Sequence, residues 1–134
     1  MSTVVVFRTL PGTRAAIGLA DQRSVVVDRP DGRAGGMGLG FNGGELLALA
    51  LGGCLCNDLQ TLAEDMGLAI EDLEISVELE FAGSPSRTTD VRITIDCTLE
   101  DGSDPSALIE RAKRLTNIGN SVRAGIPVSI EAAG

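Results

Sequence analysis

Cys54 is the residue of this sequence that is best placed to do chemistry. It follows the pair Gly52-Gly53, near the end of an apolar run that Glu45 opens. Because glycine has no side chain, another segment could approach a helix surface closely at this point. The pattern predicts a dry pocket around one sulfur, whose thiolate would be the nucleophile. The alternative is an inert buried cysteine, since free cysteine is among the most buried residue types.

The composition excludes several other kinds of active site. The chain has 134 residues and no histidine, which excludes Ser-His-Asp catalysis, Cys-His catalysis and every His-ligated metal site. Its three cysteines, Cys54, Cys56 and Cys97, form no CxxC pair, so we expect neither a disulfide scaffold nor a structural zinc site. We therefore predict no bound metal or cofactor.

The charge and length restrict the partners and the size of the fold. A net charge of −8 argues against nucleic acid and anionic membranes, because phosphate binding needs clustered Lys and Arg. No segment has 18 consecutive apolar residues and the N-terminus has no signal-peptide pattern, so we predict a cytoplasmic protein without a spanning helix. The length fits one domain over residues 1–134, with an aliphatic core because aromatic residues are almost absent.

The elements that position Cys54 follow from turn signals and periodicity. Short β-branched runs predict an N-terminal antiparallel meander with strands at Val4–Phe7, Ala15–Leu19 and Ser24–Asp28. A Gly-rich loop over Arg29–Gly44 follows, and a loop of this length tends to be functional or mobile.

The helix that carries Cys54 has clear predicted ends. Asn42 is an N-cap candidate, Glu45 completes a capping-box pattern, and Gly67 is a C-terminal stop for a helix from about Gly44 to Met66. The helix is apolar on most faces, which indicates a buried helix. Two copies of the chain would cover such a helix more easily than one.

The second half predicts a long hairpin, a helix and a closing strand. Apolar and polar residues alternate over Leu73–Phe81 and Val91–Leu99. Asp104 as N-cap and Pro105 as first helical residue open a helix to about Leu115, and Val128–Ile130 is a short strand. The order β-β-β-α-β-β-α-β indicates the α+β class.

Two motifs carry a resemblance to a known family. The stretch Glu45–Cys54 resembles the E-L-L-x-A-x-x-G-G-C helix of the OsmC/Ohr family, which comprises osmotically inducible protein C and organic hydroperoxide resistance proteins. Asn120–Val128 is similar to the family's S-N-[ST]-L-x-x-G-x-P-V ending. The likeness is closer to the OsmC-like branch. It implies antiparallel sheets wrapped around a central buried helix, in an intertwined homodimer.

The resemblance also implies a reaction, the reduction of peroxides, and leaves ligand binding as the alternative function. Family members are two-cysteine peroxidases that reduce organic hydroperoxides, and Cys54 matches the first cysteine. Thr116 stands where the second cysteine is expected, and threonine cannot form a disulfide. One prediction is therefore a peroxidase that depends on an external dithiol reductant. The alternative is a non-catalytic OsmC-like protein that binds a hydrophobic small molecule in the dimer pocket.

The family further uses a glutamate and an arginine around the thiolate. By resemblance, Glu45 is the glutamate that orients the arginine; its capping role by itself explains its presence, and both roles can hold at once. Arg14, in a pattern like the family's G-x-R turn, is the candidate arginine, with Arg8 and Arg23 as rivals.

Asp58 and the two other cysteines each have a separate interpretation. Asp58 lies one helical turn after Cys54, where its negative charge would oppose a thiolate. Cys56 projects from nearly the opposite face of the helix, so it is a poor disulfide partner. Cys97 lies on the apolar face of its strand and is predicted to be a core residue.

Overall fold

A computed structural model describes residues 1–134 and confirms the α+β class. Two antiparallel sheets and three helices make up the chain, in the order β1 (Val6–Thr9), β2 (Ala16–Ala20), β3 (Arg23–Val27), α1 (Gly43–Asp65), β4 (Ile70–Ala82), β5 (Arg87–Leu99), α2 (Ser106–Leu115) and α3 (Asn117–Ala124). The chain divides into two compact units, residues 1–47 and 48–134, and α1 begins in the first and continues in the second. The single-domain prediction stays a prediction.

The first unit is the expected three-stranded meander. β1 pairs with β2 and β2 pairs with β3, both antiparallel, with Ile17 opposite Arg8 on one side and Val26 on the other. The observed strands lie within two residues of the predicted ones. Such offsets are ordinary, because strand ends depend on hydrogen bonds that the local sequence does not specify.

A buried carboxylate organises the Gly-rich loop that follows β3. The side chain of Asp28 is only 1% exposed. Its Oδ2 accepts hydrogen bonds from the backbone N–H groups of Met37 and Leu39, each at 3.0 Å, and its Oδ1 accepts one from the N–H of Arg29 at 2.8 Å. The bond from Leu39 contributes most to lowering the pKa of Asp28, and burial opposes it. The loop is therefore tied to one side chain, a role that the sequence analysis did not assign.

Both predicted ends of α1 are confirmed. The N–H of Asn42 donates to Glu45 Oε1 at 2.9 Å, and the N–H of Glu45 donates to Asn42 Oδ1 at 2.8 Å, which is a reciprocal capping box. At the other end Gly67 has φ +69°, a left-handed conformation that glycine adopts without strain. The N–H of Leu68 then reaches back to the carbonyl of Ala63 at 2.8 Å and closes the helix.

The sequence analysis predicts a buried α1 that two copies of the chain would cover more easily than one, and a single chain buries one side of it. Its buried residues are Leu51, Gly52, Leu55, Leu59, Leu62 and Ala63, whereas Leu49 is 52% exposed. One chain covers only one side of the helix. By length and composition alone α1 could cross a membrane, but the core helix of a globular protein passes the same test.

In the second unit, α1 packs against the long β4–β5 hairpin. Ile75 faces Ile95 and Val77 faces Ile93 in register, which places an aliphatic row on one face. A Cβ atom added at Gly52 would lie 3.1 Å from Val77 Cγ2, so this glycine allows the hairpin to approach the helix. The expected close approach at the glycine pair is thus found at its first member.

The core of the second unit is aliphatic, as predicted. Its buried members come from α1, β5 and α2, and they are Leu55, Leu59, Leu62, Ala63, Cys97, Leu99, Leu108 and Ala112. α2 begins one residue later than predicted, at Ser106, whose N–H donates to Asp104 Oδ1 at 3.0 Å. Asp104 therefore still caps this helix end through its side chain.

The predicted closing strand at 128–130 is wrong. The chain forms α3 over Asn117–Ala124 and then continues without regular structure. Val128 is 81% exposed and Ile130 is 92% exposed. A strand needs a partner for its backbone N–H and C=O groups, and no sheet edge accompanies these residues in one chain.

Asp28→Asn should lower the stability of the protein at neutral pH, because an amide oxygen is a weaker acceptor than a carboxylate for the three backbone donors. The folded state holds the pKa of Asp28 below its ordinary value of 3.8. The stabilisation is therefore complete above pH 3.8 and is lost as the pH falls through the lower, folded-state value. Urea midpoints of the variant and the wild type should differ at neutral pH and converge in acid. Asp31→Asn, an exposed change in the same loop, is the control; an equal loss in this control would refute the assignment.

Candidate active site around Cys54

α1 holds Cys54 beside a carboxylate one turn further along the helix. The Sγ–H group of Cys54 donates to Asp58 Oδ2, with the two atoms 3.4 Å apart. Both side chains are partly buried, and the flanking Leu55 and Leu59 are fully in the core. Residues four apart on a helix are neighbours, so this contact follows directly from the spacing.

Thr116 reaches the same sulfur from the junction of α2 and α3. It has an extended backbone, φ −61° and ψ 122°, which ends α2 and begins α3. Its N–H donates to the carbonyl of Ala112 at 3.0 Å, and its carbonyl accepts from the N–H of Asn120 at 3.1 Å. The residue is 4% exposed, and its Oγ1–H group donates to Cys54 Sγ at 3.6 Å. The position that the motif comparison assigned to a second thiol therefore contacts Cys54.

Gly119 leaves room for Thr116 in this orientation. A Cβ atom added at Gly119 would lie 2.7 Å from Thr116 Cγ2, which is closer than real side chains approach. The threonine methyl group thus rests against the first turn of α3 while its hydroxyl points to the sulfur.

A cavity of about 460 Å³ lies beside Thr116 in the second unit, within the size range of small-molecule sites. Five of its eleven lining residues are aliphatic, and the others are three charged residues, two threonines and a glycine: Leu55, Val91, Ile93, Thr94, Ile95, Ile109, Glu110, Lys113, Thr116, Gly119 and Arg123. An apolar space with a few polar groups is suited to an apolar or amphipathic molecule.

The charged residues of the cavity are mainly cationic. Lys113 Nζ lies 3.1 Å from Glu110 Oε1, and both side chains are more than half exposed. Arg123 Nη1 donates to Asn120 Oδ1 at 3.1 Å. With two cations and one carboxylate, the wall carries a net positive charge, which favours a ligand with an anionic group. Nothing in the sequence pattern identified these residues as site residues.

The other predicted site residues lie in the first unit. The carboxylate of Glu45 is used in the capping box. Arg14 lies against Gly35, with its carbonyl accepting from the guanidinium of Arg29. Arg23 pairs with a neighbouring aspartate at 3.7 Å on the surface, and Arg8 lies on β1. The roles of Glu45 and of the arginines toward the thiol stay predictions.

All three cysteines are free thiols, in different surroundings. Cys97 is buried in β5, where burial raises the pKa of its thiol and the charge of Asp96 adds to this effect. It is a core residue, as predicted. Cys56 is partly buried on α1, two residues from Cys54. Only Cys54 combines a partly buried thiol with polar partners on two sides.

Comparisons with known proteins agree with the motif analysis. A sequence model of the OsmC-like protein family matches residues 35–131. A search of curated proteins gives no significant sequence match. Several solved structures are similar to this chain along most of its length.

Three of these structures illustrate the similarity. An osmotic stress induced and detoxification response protein from Psychrobacter arcticus has 24% identity and a TM-score of 0.70, covering 90% of this chain and 88% of that chain. An OsmC like protein from Mycoplasma pneumoniae has 15% identity and a TM-score of 0.76, with 92% and 88% covered. An organic hydroperoxide resistance protein OsmC from Legionella pneumophila has 16% identity and a TM-score of 0.64, with 92% and 90% covered. At these identities the likeness establishes a shared fold.

Thr116→Cys should form a disulfide with Cys54 on mild oxidation. Cysteine Sγ and threonine Oγ1 leave Cβ in similar directions, and a side-chain rotation can shorten 3.6 Å to an S–S bond of about 2.05 Å. Intact mass should show the loss of two hydrogen atoms, and peptide mapping should locate the bond at Cys54. Thr94→Cys, at a residue that also lines the cavity but is not a hydrogen-bond partner of Cys54, should stay reduced. Failure of Thr116→Cys to cross-link would contradict the geometry.

Proposed function

Because the chain belongs to the OsmC-like protein family, we propose that it reduces organic hydroperoxides, with Cys54 as the attacking thiol. The observation that carries the proposal is the contact between Cys54 Sγ and Thr116 Oγ1, at the position of the missing second cysteine. Several structures with the same fold are named organic hydroperoxide resistance proteins, which supports this reaction class.

The first half-reaction consumes only the Cys54 thiol and the peroxide. The thiolate attacks one peroxide oxygen, the O–O bond breaks, and the products are a sulfenic acid on Cys54 and an alcohol. By family resemblance, Arg14 is our candidate for the cation that polarises the peroxide, and Glu45 for the acid that orients the arginine.

The second half-reaction must use a thiol from outside the chain. Thr116 supplies no thiol, Cys97 is buried in the core, and Cys56 projects from another face of α1. We propose that one thiol of an external dithiol condenses with the sulfenic acid and releases water. The second thiol of the donor then displaces Cys54 as a free thiol and leaves as a disulfide.

The proposal includes a homodimer in the cytoplasm. A reaction that depends on a free thiol suits a compartment in which cysteines stay reduced, such as the cytoplasm. Within the second unit, large apolar side chains are exposed on α1, at the end of α2 and in the C-terminal segment, including Leu49, Leu115 and Ile126 at 52%, 55% and 62%. A second copy of the chain would bury such surface, and this supports the dimer.

A second candidate function is binding without catalysis. The cavity favours it, because five aliphatic residues and two cations suit an amphipathic carboxylate, and the second family thiol is missing. In this case Cys54 has only a packing role.

Reduced protein treated with stoichiometric cumene hydroperoxide and a dimedone trap should gain one adduct within seconds, located at Cys54. Cys54→Ser should gain none, whereas Cys56→Ser and Cys97→Ser should behave as the wild type. Intact-mass spectrometry followed by peptide mapping makes the measurement. The rate of adduct formation should also be measured for Arg14→Ala, Arg8→Ala and Arg23→Ala. The variant with the slowest rate identifies the arginine that polarises the peroxide, and we expect this to be Arg14→Ala.

Absence of an adduct over minutes would refute the peroxidase and leave the binding function. Calorimetric titration with decanoate then tests that function directly. Ile93→Trp, which fills the cavity from β5, should abolish decanoate binding, and Glu78→Gln on the outer hairpin face is its control.

Sedimentation equilibrium should give twice the chain mass of 13.8 kDa. Leu49→Glu should shift the protein toward the monomer, because a charge on the exposed apolar side of α1 opposes burial there. Gln60→Glu, an exposed change on the same helix, controls for charge alone. A monomeric wild type at high concentration would contradict the dimer.

A further inference from the structure

The sulfur of Cys54 is held between a hydrogen-bond acceptor and a hydrogen-bond donor. Asp58 Oδ2 accepts from the thiol at 3.4 Å, and Thr116 Oγ1 donates to the sulfur at 3.6 Å. The hydroxyl of Thr116 is buried and has Cys54 as its hydrogen-bond partner, so the sulfur occupies the position of an acceptor in this arrangement. The proton on the sulfur is therefore directed toward Asp58.

Asp58 has no cation to neutralise it within the second unit. The ion pair of this unit joins Lys113 to Glu110, and Asp58 takes part in none. An unneutralised carboxylate next to a thiolate is repulsive while both are charged. The repulsion disappears if the carboxylate takes the thiol proton, because the pair then carries one negative charge before and after the transfer.

We propose that Asp58 is a catalytic acid–base residue, which accepts the Cys54 proton and delivers it to the alkoxide that leaves when the peroxide bond breaks. The inference rests on the proposed peroxide reduction. The thiolate sulfur bonds to one peroxide oxygen, the O–O electron pair goes to the leaving oxygen, and the proton held by Asp58 converts that oxygen to an alcohol. The carboxylate is regenerated, and no further reactant is needed.

Thr116 has a positioning role in the same step. Its hydroxyl donates to the sulfur that becomes negative, and its extended backbone at the α2–α3 junction holds the hydroxyl in place. The other charged groups on these two helices near the site are Glu110, Lys113 and Arg123, which line the cavity with Thr116. The hairpin presents the apolar Ile75 and Val77 to α1 at Gly52.

The test measures the rate of Cys54 oxidation by cumene hydroperoxide without a reductant, from about pH 5 to about pH 9. Asp58→Asn keeps the shape but cannot take a proton, so its rate should fall about tenfold or more at neutral pH. The rate of the variant should then climb steeply with pH, because hydroxide must remove the proton. The wild-type profile should be flatter. Asp65→Asn, an exposed change on α1, should match the wild type.

Alkylation by iodoacetamide separates the acid role from the base role. Iodide leaves without a proton, so Asp58→Asn should slow alkylation less than peroxide reduction. Thr116→Val should slow both reactions by a similar factor, and Thr116→Ser should restore them. A second readout needs no variant, because deuterated solvent should slow the wild-type reaction with peroxide more than that with iodoacetamide.

Three results would overturn the inference. An Asp58→Asn variant that is as fast as the wild type, or faster, would mean that the carboxylate only repels the thiolate. If Asp58→Asn slowed peroxide reduction and alkylation equally, Asp58 would not deliver a proton to the leaving oxygen. Equal solvent isotope effects on the two reactions of the wild type would lead to the same conclusion. A wild-type protein that forms no sulfenic acid would instead refute the proposed function, so the two failures are distinguishable.

Discussion

The contact between one face of α1 and the β4–β5 hairpin is the constraint on which the rest of the second unit depends. Gly52 removes a side chain where Val77 approaches, and Leu55 and Leu59 continue the same buried face. With this face fixed, Cys54 and Asp58 lie at its edge, partly buried. α2 then packs its Leu108 and Ala112 into the same core, which brings Thr116, the residue after α2, to the sulfur. The site is thus a consequence of aliphatic burial.

Residue 116 contacts Cys54, but it carries a hydroxyl where the family motif has a thiol. This difference changes the reactions that the site can perform. A hydroxyl donates to sulfur but cannot close a disulfide, so any oxidised form of Cys54 must await a partner from outside. The adjacent cavity, with its apolar wall and two cations, offers space for a molecule of amphipathic character. A peroxidase and a binding protein would both use this space, and they differ in whether the sulfur reacts.

The first unit is built on a different principle. In its Gly-rich loop a single carboxylate accepts hydrogen bonds from three backbone N–H groups, those of Arg29, Met37 and Leu39. Asp28 gains a lowered pKa from these bonds, and the loop gains a fixed path between β3 and α1. In this loop, hydrogen bonds from backbone N–H groups to a carboxylate hold the chain in place, whereas in the second unit the packing of leucine side chains does so.

The sequence alone determined the features that arise from local rules. The capping box of Asn42 and Glu45, the stop at Gly67, the alternating hairpin and the apolar face of α1 are each encoded within a few neighbouring residues, and the motif around Cys54 indicated the family. Tertiary structure decided the rest, because it joins residues that no local pattern connects. Thr116 lies 62 positions from Cys54, and the donors to Asp28 lie up to 11 positions away. The same reason explains the missing strand at 128–130, since a strand exists only where another strand offers its backbone groups.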